Sequence, residues 1–266
     1  MAESTETGLP RAVAIAWGMQ EVPQRGPSRG LSHERIVAAA VEIADADGLP
    51  AVTMQAVAKS LGFTTMSLYR YVSSKDELLR LMQDAALTVP ETVRLDEDWR
   101  TALHQWAGLI RDAYRAHPWA LSIPRDQTSV LMPNTMRTVD VALAAMRDLA
   151  LDDAEKLGTI MVISQHAAGM VELELSLNDA GTLAITAEGA EMLGEVVTAE
   201  RHPHLRALMA RGHYVPLGGP SRDADGGADD AGADGAVPPP AEDVDEEYTF
   251  GLDLLLDGLA ARAEDR

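Results

Sequence analysis

Residues 63–82 read FTTMSLYRYVSSKDELLRLM, and this stretch constrains the fold more than any other because it parses as a short helix, a tight turn and a second helix. Leu68 and Val72 stand four apart and share one helical face, while Thr65, Met66, Tyr69 and Arg70 point elsewhere. Ser74 followed three residues later by Glu77 is a capping box, so a new helix starts there and carries Leu78, Leu79 and Met82 inward. Lys75 falls in its first turn. A cation there opposes the helix dipole unless an anion stands nearby, and a nucleic-acid phosphate is a suitable one, although an ordinary surface lysine reads the same way.

Two further helices precede this stretch. Ser32 caps one in which Ile36, Val37, Ala40, Ile43 and Ala44 repeat at helical spacing, with Gly48 placed to end it. Thr53 caps a short one that turns Met54, Val57, Ala58 and Leu61 inward and stops at Gly62. Two short helices separated by Gly62-Phe63-Thr64, with an apolar helix before them, make a helix-turn-helix whose second member presents its first residues to a DNA groove. The competing reading is a helical hairpin that packs without meeting DNA.

Composition points the same way. Aromatics make up 4% of the 266 residues, and Val, Ile and Thr never gather into alternating runs, so the expected fold class is all-α. With no cysteine there is no disulfide, thiol nucleophile or Cys-ligated zinc. No apolar run reaches the length of a membrane span and no basic segment followed by an apolar one opens the chain, so a soluble, cytoplasmic protein without a membrane partner is expected. The net charge of −20 weighs against nucleic acid until its distribution is seen. Residues 218–266 hold 14 acidic and 3 basic side chains, whereas residues 1–90 are close to neutral. An N-terminal surface on which Arg25, Arg29, Arg70 and Lys75 converge is therefore compatible with DNA.

The expected domains are an N-terminal arm at residues 1–30, a helix-turn-helix domain at 31–88 and a helical ligand-binding and dimerisation domain at 89–266. In the arm, Pro23, Gly26, Pro27 and Gly30 break any helix begun around residues 13–19. Arg25 and Arg29 flank Gly-Pro in an extended segment of the kind that follows a DNA backbone or enters a minor groove, although a tail with incidental arginines reads the same way.

The run VTMQAVAKSLGFTTMSLYRYVSSKDELL resembles the DNA-binding region of the tetracycline-repressor (TetR) family, with its Ala-x-x-Leu-Gly turn, Leu-Tyr-x-Tyr recognition helix and Lys-x-x-Leu-Leu opening of the following helix. At the other end, YTFGLDLLLDGLAA resembles the last helix of that family. The resemblance covers residues 32–88 and 246–263. It implies base-reading and phosphate-contacting positions at Thr53, Gln55, Thr65, Met66, Ser67, Tyr69, Arg70, Tyr71 and Lys75. Gln55 stands where the tetracycline repressor has Arg, and Arg70 stands in place of an aromatic, so the operator cannot be copied from that protein. By chemistry, Arg70 suits guanine, Gln55 suits adenine, and Met66 or Thr65 suits a thymine methyl. Ser67, Tyr69, Tyr71 and Lys75 suit phosphates, and Tyr71 suits packing against the first helix equally well.

Between the matched ends, helical patterns span about residues 99–117, 133–149, 152–177, 186–200 and 203–211. Residues 218–245 are Gly, Ala, Asp and Pro with almost nothing apolar, and read as a disordered acidic loop. The resemblance implies a small-molecule pocket in this region, for which His104, Trp106, His117, Trp119, Asn134, Gln165, His166 and Met170 have suitable chemistry; an ordinary helical core accounts for them as well. On the last helix Phe250, Leu254, Leu255 and Leu259 form an apolar face suited to a homodimer.

No metal or other cofactor is expected. Asp223, Asp225, Asp229 and Asp230 lack the bidentate Glu of a calcium loop, and His202 with His204 supplies too few ligands for zinc. Phosphate loops, nucleophile elbows and His-Glu-x-x-His are missing, so no enzyme is expected. The combined reading is a homodimeric repressor that leaves a palindromic double-stranded DNA operator when a small molecule binds. The alternative is a ligand-independent architectural or activating DNA-binding protein.

Overall fold

The computed structural model describes residues 8–19, 30–179, 187–210 and 241–264, and among them the chain is helical with no strand. Among the described residues eleven α-helices follow one another: α1 (Arg11–Ala16), α2 (His33–Asp47), α3 (Met54–Leu61), α4 (Thr65–Leu68), α5 (Lys75–Ala86), α6 (Trp99–Ala116), α7 (Pro133–Ala145), α8 (Asp153–Asp179), α9 (Ala187–Val196), α10 (Pro203–Ala210) and α11 (Ala241–Glu264). Short 3₁₀ turns at Pro118–Ser122 and Ser129–Leu131 join α6 to α7.

The helix starts follow from local chemistry. Ser32, Thr53, Thr64, Ser74 and Asp98 each accept a backbone N–H three residues on, satisfying a donor that the first turn leaves orphaned. The Asp152–Glu155 box is reciprocal: Asp152 N–H donates to Glu155 Oε2 (3.0 Å) and Glu155 N–H to Asp152 Oδ1 (2.9 Å). At Ser74 the box is displaced by one residue, because Glu77 accepts from the N–H and hydroxyl of Ser73 instead of the Ser74 N–H. Gly62 ends α3 in the left-handed region (φ 75°), where a side chain would be strained.

The chain divides into two compact units, residues 1–173 with 245–266, and residues 174–244. In the first, α2 packs on α3 and α5, and α5 also packs on α7. Ile36, Val57, Leu68, Val72, Leu78 and Met82 form the buried centre of the N-terminal helices. Leu103, Trp106, Met132, Met146, Ile163, Leu252 and Leu256 do the same for the helices that follow. In the second unit, Val197 and Met209 are buried.

Three expectations are corrected. The N-terminal segment is not an arm throughout: Arg11–Ala16 forms a helix on α5 that buries Ala12, Val13, Ala14 and Ile15, because the Pro and Gly breakers all lie beyond it. Arg25 and Arg29 lie outside the described residues, as do residues 218–240 of the acidic loop. The last five residues assigned to that loop instead open α11 at Ala241. The recognition helix is a single turn, with Tyr69 at its C-cap.

Candidate nucleic-acid interface

The outer surface of α3 and α4 is held from behind and left open in front. Behind, Leu68 and Val72 are completely buried. The Thr64 hydroxyl caps α4 by accepting from the Ser67 N–H (3.3 Å) and shares a hydrogen bond with the Ser67 hydroxyl (2.9 Å). In front, Met66 is 74% exposed, Tyr69 and Arg70 are exposed beside it, and Gln55 and Thr53 are exposed on α3. Thr65 and Ser67 are half-buried. Arg70 makes no hydrogen bond or ion pair with any described residue, and the same holds for half-buried Lys75 at the start of α5. This arrangement leaves a guanidinium, an amide, a thioether and an ammonium with little of their bonding capacity used internally.

Tyr71 is removed from that surface. Its ring is 4% exposed and meets the His33 ring edge-on at 5.5 Å, and its carbonyl accepts from Arg11 Nη2 (3.0 Å) and pairs with His33 Nε2 (3.0 Å). Burial in the α2 contact is the physical reason: the side chain belongs to the core, leaving no route to a phosphate.

From this surface α5 runs to the region before α7, and its polar side chains grip that region at three points. Arg80 donates to Asp126 Oδ2 through Nε (3.1 Å) and Nη2 (3.0 Å). Gln83 donates to the Ile123 carbonyl (2.8 Å). Asp84 accepts from the N–H groups of Asn134 (3.1 Å) and Thr135 (3.2 Å) and from the Asn134 side chain (3.1 Å), and so caps α7 from outside. Burial pushes the Asp84 carboxyl up, since its partners are neutral. Burial raises Asp126 too, but hydrogen bonds from Arg80 and the Thr128 N–H outweigh it and hold that carboxyl low. The sequence signal missed here was two polar residues, Gln83 and Asp84, between the inward-facing Met82 and Ala86.

The residues expected around a ligand do not converge. Trp106 is fully buried and its indole donates to the Thr138 carbonyl (2.9 Å). His117 Nδ1 (2.8 Å) and Trp119 Nε1 (2.6 Å) both meet Asp45 Oδ1 at the end of α2. His104 pairs with Asp253 of α11 (3.0 Å), beside Arg100, which also holds Asp257. Asn134 serves Asp84. His166 stacks on Tyr248 at 5.3 Å and pairs with its carbonyl (2.8 Å), at a point where a Cβ on Gly251 would lie 2.4 Å from the His166 ring. Burial pushes the Tyr248 phenol up to about 12. Met170 is half-buried. Gln165 joins a different group: it accepts from Arg125 Nη1 (3.0 Å), while Arg125 Nη2 donates to the hydroxyl of buried Tyr114.

On α11 the expected interface residues divide between two faces. Phe250 (66%) and Leu254 (56%) are exposed, as are Leu157, Met161 and Val162 on α8. Leu259 is buried with Leu252 and Leu256, and Leu255 is half-buried, so these two belong to or border the core of the single chain. Helical spacing explains the split, because positions 252, 256 and 259 lie on the side opposite 250 and 254.

Among known proteins, residues 36–82 match the model of the bacterial regulatory proteins of the tetR family, and residues 90–217 match the tetracyclin repressor-like C-terminal domain. The HTH-type transcriptional repressor DrrR1 of Streptomyces coeruleorubidus is 33% identical over 264 residues, which is 97% of this chain and 89% of that protein. The chain belongs to the tetR family. Its members are transcription factors, not enzymes, and the chain is accordingly a DNA-binding transcriptional regulator. The tetracycline repressor protein class A from Escherichia coli is another tetR-family relative, 27% identical over 236 residues, covering 87% of this chain and 92% of the relative. The fold is similar to that of ActR from Streptomyces coelicolor, solved in complex with actinorhodin, with a TM-score of 0.65, 25% identity and coverage of 88% of this chain and 99% of ActR.

Proposed function

We propose that this regulator is a homodimeric repressor that binds a palindromic operator through Gln55, Thr65, Met66, Tyr69 and Arg70, and that a small molecule bound among α6–α8 releases it. One observation carries the reading: α5 starts seven residues after α4, packs on α2, and two turns later grips the segment before α7 through Arg80 and Gln83 and the first turn of α7 through Asp84. A displacement of that segment therefore tilts the helix that positions the reading face. Thr53, Ser67, Tyr69 and Lys75 flank the base-reading residues and take phosphates. The relatives support the direction of control, since DrrR1 is named a repressor, and ActR was solved with a small molecule bound.

The effector group we favour is the cluster of Tyr114, Arg125 and Gln165. Arg125 is exposed and its partners there are neutral, while its neighbour Asp126 holds Arg80 of α5. A compound that draws on Arg125 thus pulls on α5 within one residue. Trp106, Trp119, His104 and His117 serve instead to keep the helices in register. For the dimer, the exposed apolar residues of α8 and α11, including Phe250 and Leu254, are the surface that a second copy covers, which sets two reading heads about one DNA turn apart.

The test is binding of a palindromic duplex, selected from random sequence by the protein itself, with and without compounds that bind the chain. Coupling of about 1–3 kcal/mol gives a 5- to 150-fold loss of affinity. A compound that binds tightly and leaves duplex affinity unaltered in the wild type, with Arg125→Gln unchanged for that compound, removes both the switch and its proposed location.

A further inference from the structure

We propose that α1 is an intramolecular clasp that holds α5 at one tilt against the segment leading into α7; the regulatory meaning of that tilt rests on the reading of α5 given above. The helix lies outside both stretches matched by the family models, which begin at residue 36. Six residues are too few for a helix to persist in water by itself. Its formation depends on the neighbours that bury Ala12, Val13, Ala14 and Ile15, of which α5 is the main one.

The two ends of α1 hold different parts of the molecule. At the start, Arg11 pairs with Glu77 in the first turn of α5 and donates to the Tyr71 carbonyl (3.0 Å) just before it. Glu77 is buried, and its other donors, the N–H and hydroxyl of Ser73, are neutral, so Arg11 supplies the balancing charge. Just past the other end, Trp17 Nε1 donates to the Leu131 carbonyl (2.8 Å), two residues before α7 begins. Asp84 closes the circuit from α5 to the α7 start. The contacts form a ring running from α5 through α1 to Leu131, on to Asn134 and back to α5. Changing the angle between α5 and the α7 start must break this ring somewhere. An effector that retilts α5 works against the clasp, and a weakened clasp lowers the differential affinity that release requires.

Hydrogen exchange on the full chain tests this. Trp17→Phe keeps one aromatic ring on an exposed side chain and loses the pyrrole ring with its N–H; Ala14→Asp places a carboxylate in the buried side of α1 and detaches it while keeping both anchoring side chains. Exchange of the amides in the first two turns of α5 and at residues 131–135 is expected to rise together, by about 2- to 10-fold for Trp17→Phe and by more for Ala14→Asp, with α3 unchanged. Acceleration confined to residues 129–133 in Trp17→Phe, or an unchanged α5 in Ala14→Asp, overturns the clasp. If exchange responds as expected while affinity for the selected duplex is the same in both variants, the clasp stands and the coupling role of α5 falls.

Discussion

The outward face of α3 and α4 and the polar side chains of α6–α8 use the same chemistry to opposite ends. On the first, Gln55, Met66 and Arg70 are exposed, and Arg70 has no described partner. On the second, Trp106, His117, Trp119 and Asn134 spend their polar atoms on Thr138, Asp45 and Asp84. A surface that meets a partner keeps donors and acceptors available; a framework that transmits force has them satisfied, since a buried polar group without a partner costs about 1–3 kcal/mol. Between the two lies α5, with Lys75 open at one end and Asp84 engaged toward the other.

The largest expected effect comes from the exposed apolar pair on α11. Phe250→Glu with Leu254→Glu alters no buried contact, so the chain folds, but it is expected to sediment as a monomer and lose operator affinity on the order of 100-fold or more, because each half-site is then bound alone. A dimer of unchanged affinity removes this face from the interface. Next is a matched pair that sharpens the contrast between free and spent groups. Trp106→Phe removes the bond to the Thr138 carbonyl and leaves space at a fully buried position, and is expected to cost about 1–3 kcal/mol in urea unfolding, whereas Met66→Ala changes stability by less than about 0.5 kcal/mol and shifts the base preference. Equal stability losses in the two variants would erase the distinction.

The contrast was only partly legible in the sequence. Helix starts were, because a cap is a local signal: Ser32, Thr53, Ser74 and the Asp152–Glu155 box each meet a partner three residues away. The open positions Met66, Tyr69 and Arg70 followed from the alternation with Leu68 and Val72. The spent positions were not legible, since the partner of His117 and Trp119 is Asp45, more than 70 residues away. For the same reason the docking of α1 is not legible in the sequence, as its residues carry no side-chain cap and their burial comes from elsewhere in the fold. Along α11, Leu259 and Phe250 are both apolar, and only packing separates the inner side from the outer.

A smaller effect appears in acid. The Asp84 carboxyl is raised by burial, so its contribution favours the fold most below the ordinary value of 3.8 and is lost as pH rises through the raised value. Asp245 is the reverse: hydrogen bonds from Arg115 and Arg111 hold it low, giving stability that is present above 3.8 and lost as pH falls. Asp84→Asn is therefore expected to steepen the loss of stability below pH 5, and Asp245→Asn to flatten it, as read from urea midpoints across pH 3–7. The opposite order of slopes would show that the α5 carboxylate is ionised without penalty.

The measurement that tests the account most directly is the base-preference profile of Arg70→Ala across a randomised half-site, set beside that of Lys75→Ala. With Arg70 free to read a base, its removal should cost about 1–3 kcal/mol on the preferred sequence and flatten preference at one position of each half-site. Removal of Lys75 should weaken all sequences alike and reduce the salt slope by about 1. A profile for Arg70→Ala that keeps every relative affinity of the wild type would contradict the claim that the open face of α4 is where this protein reads DNA.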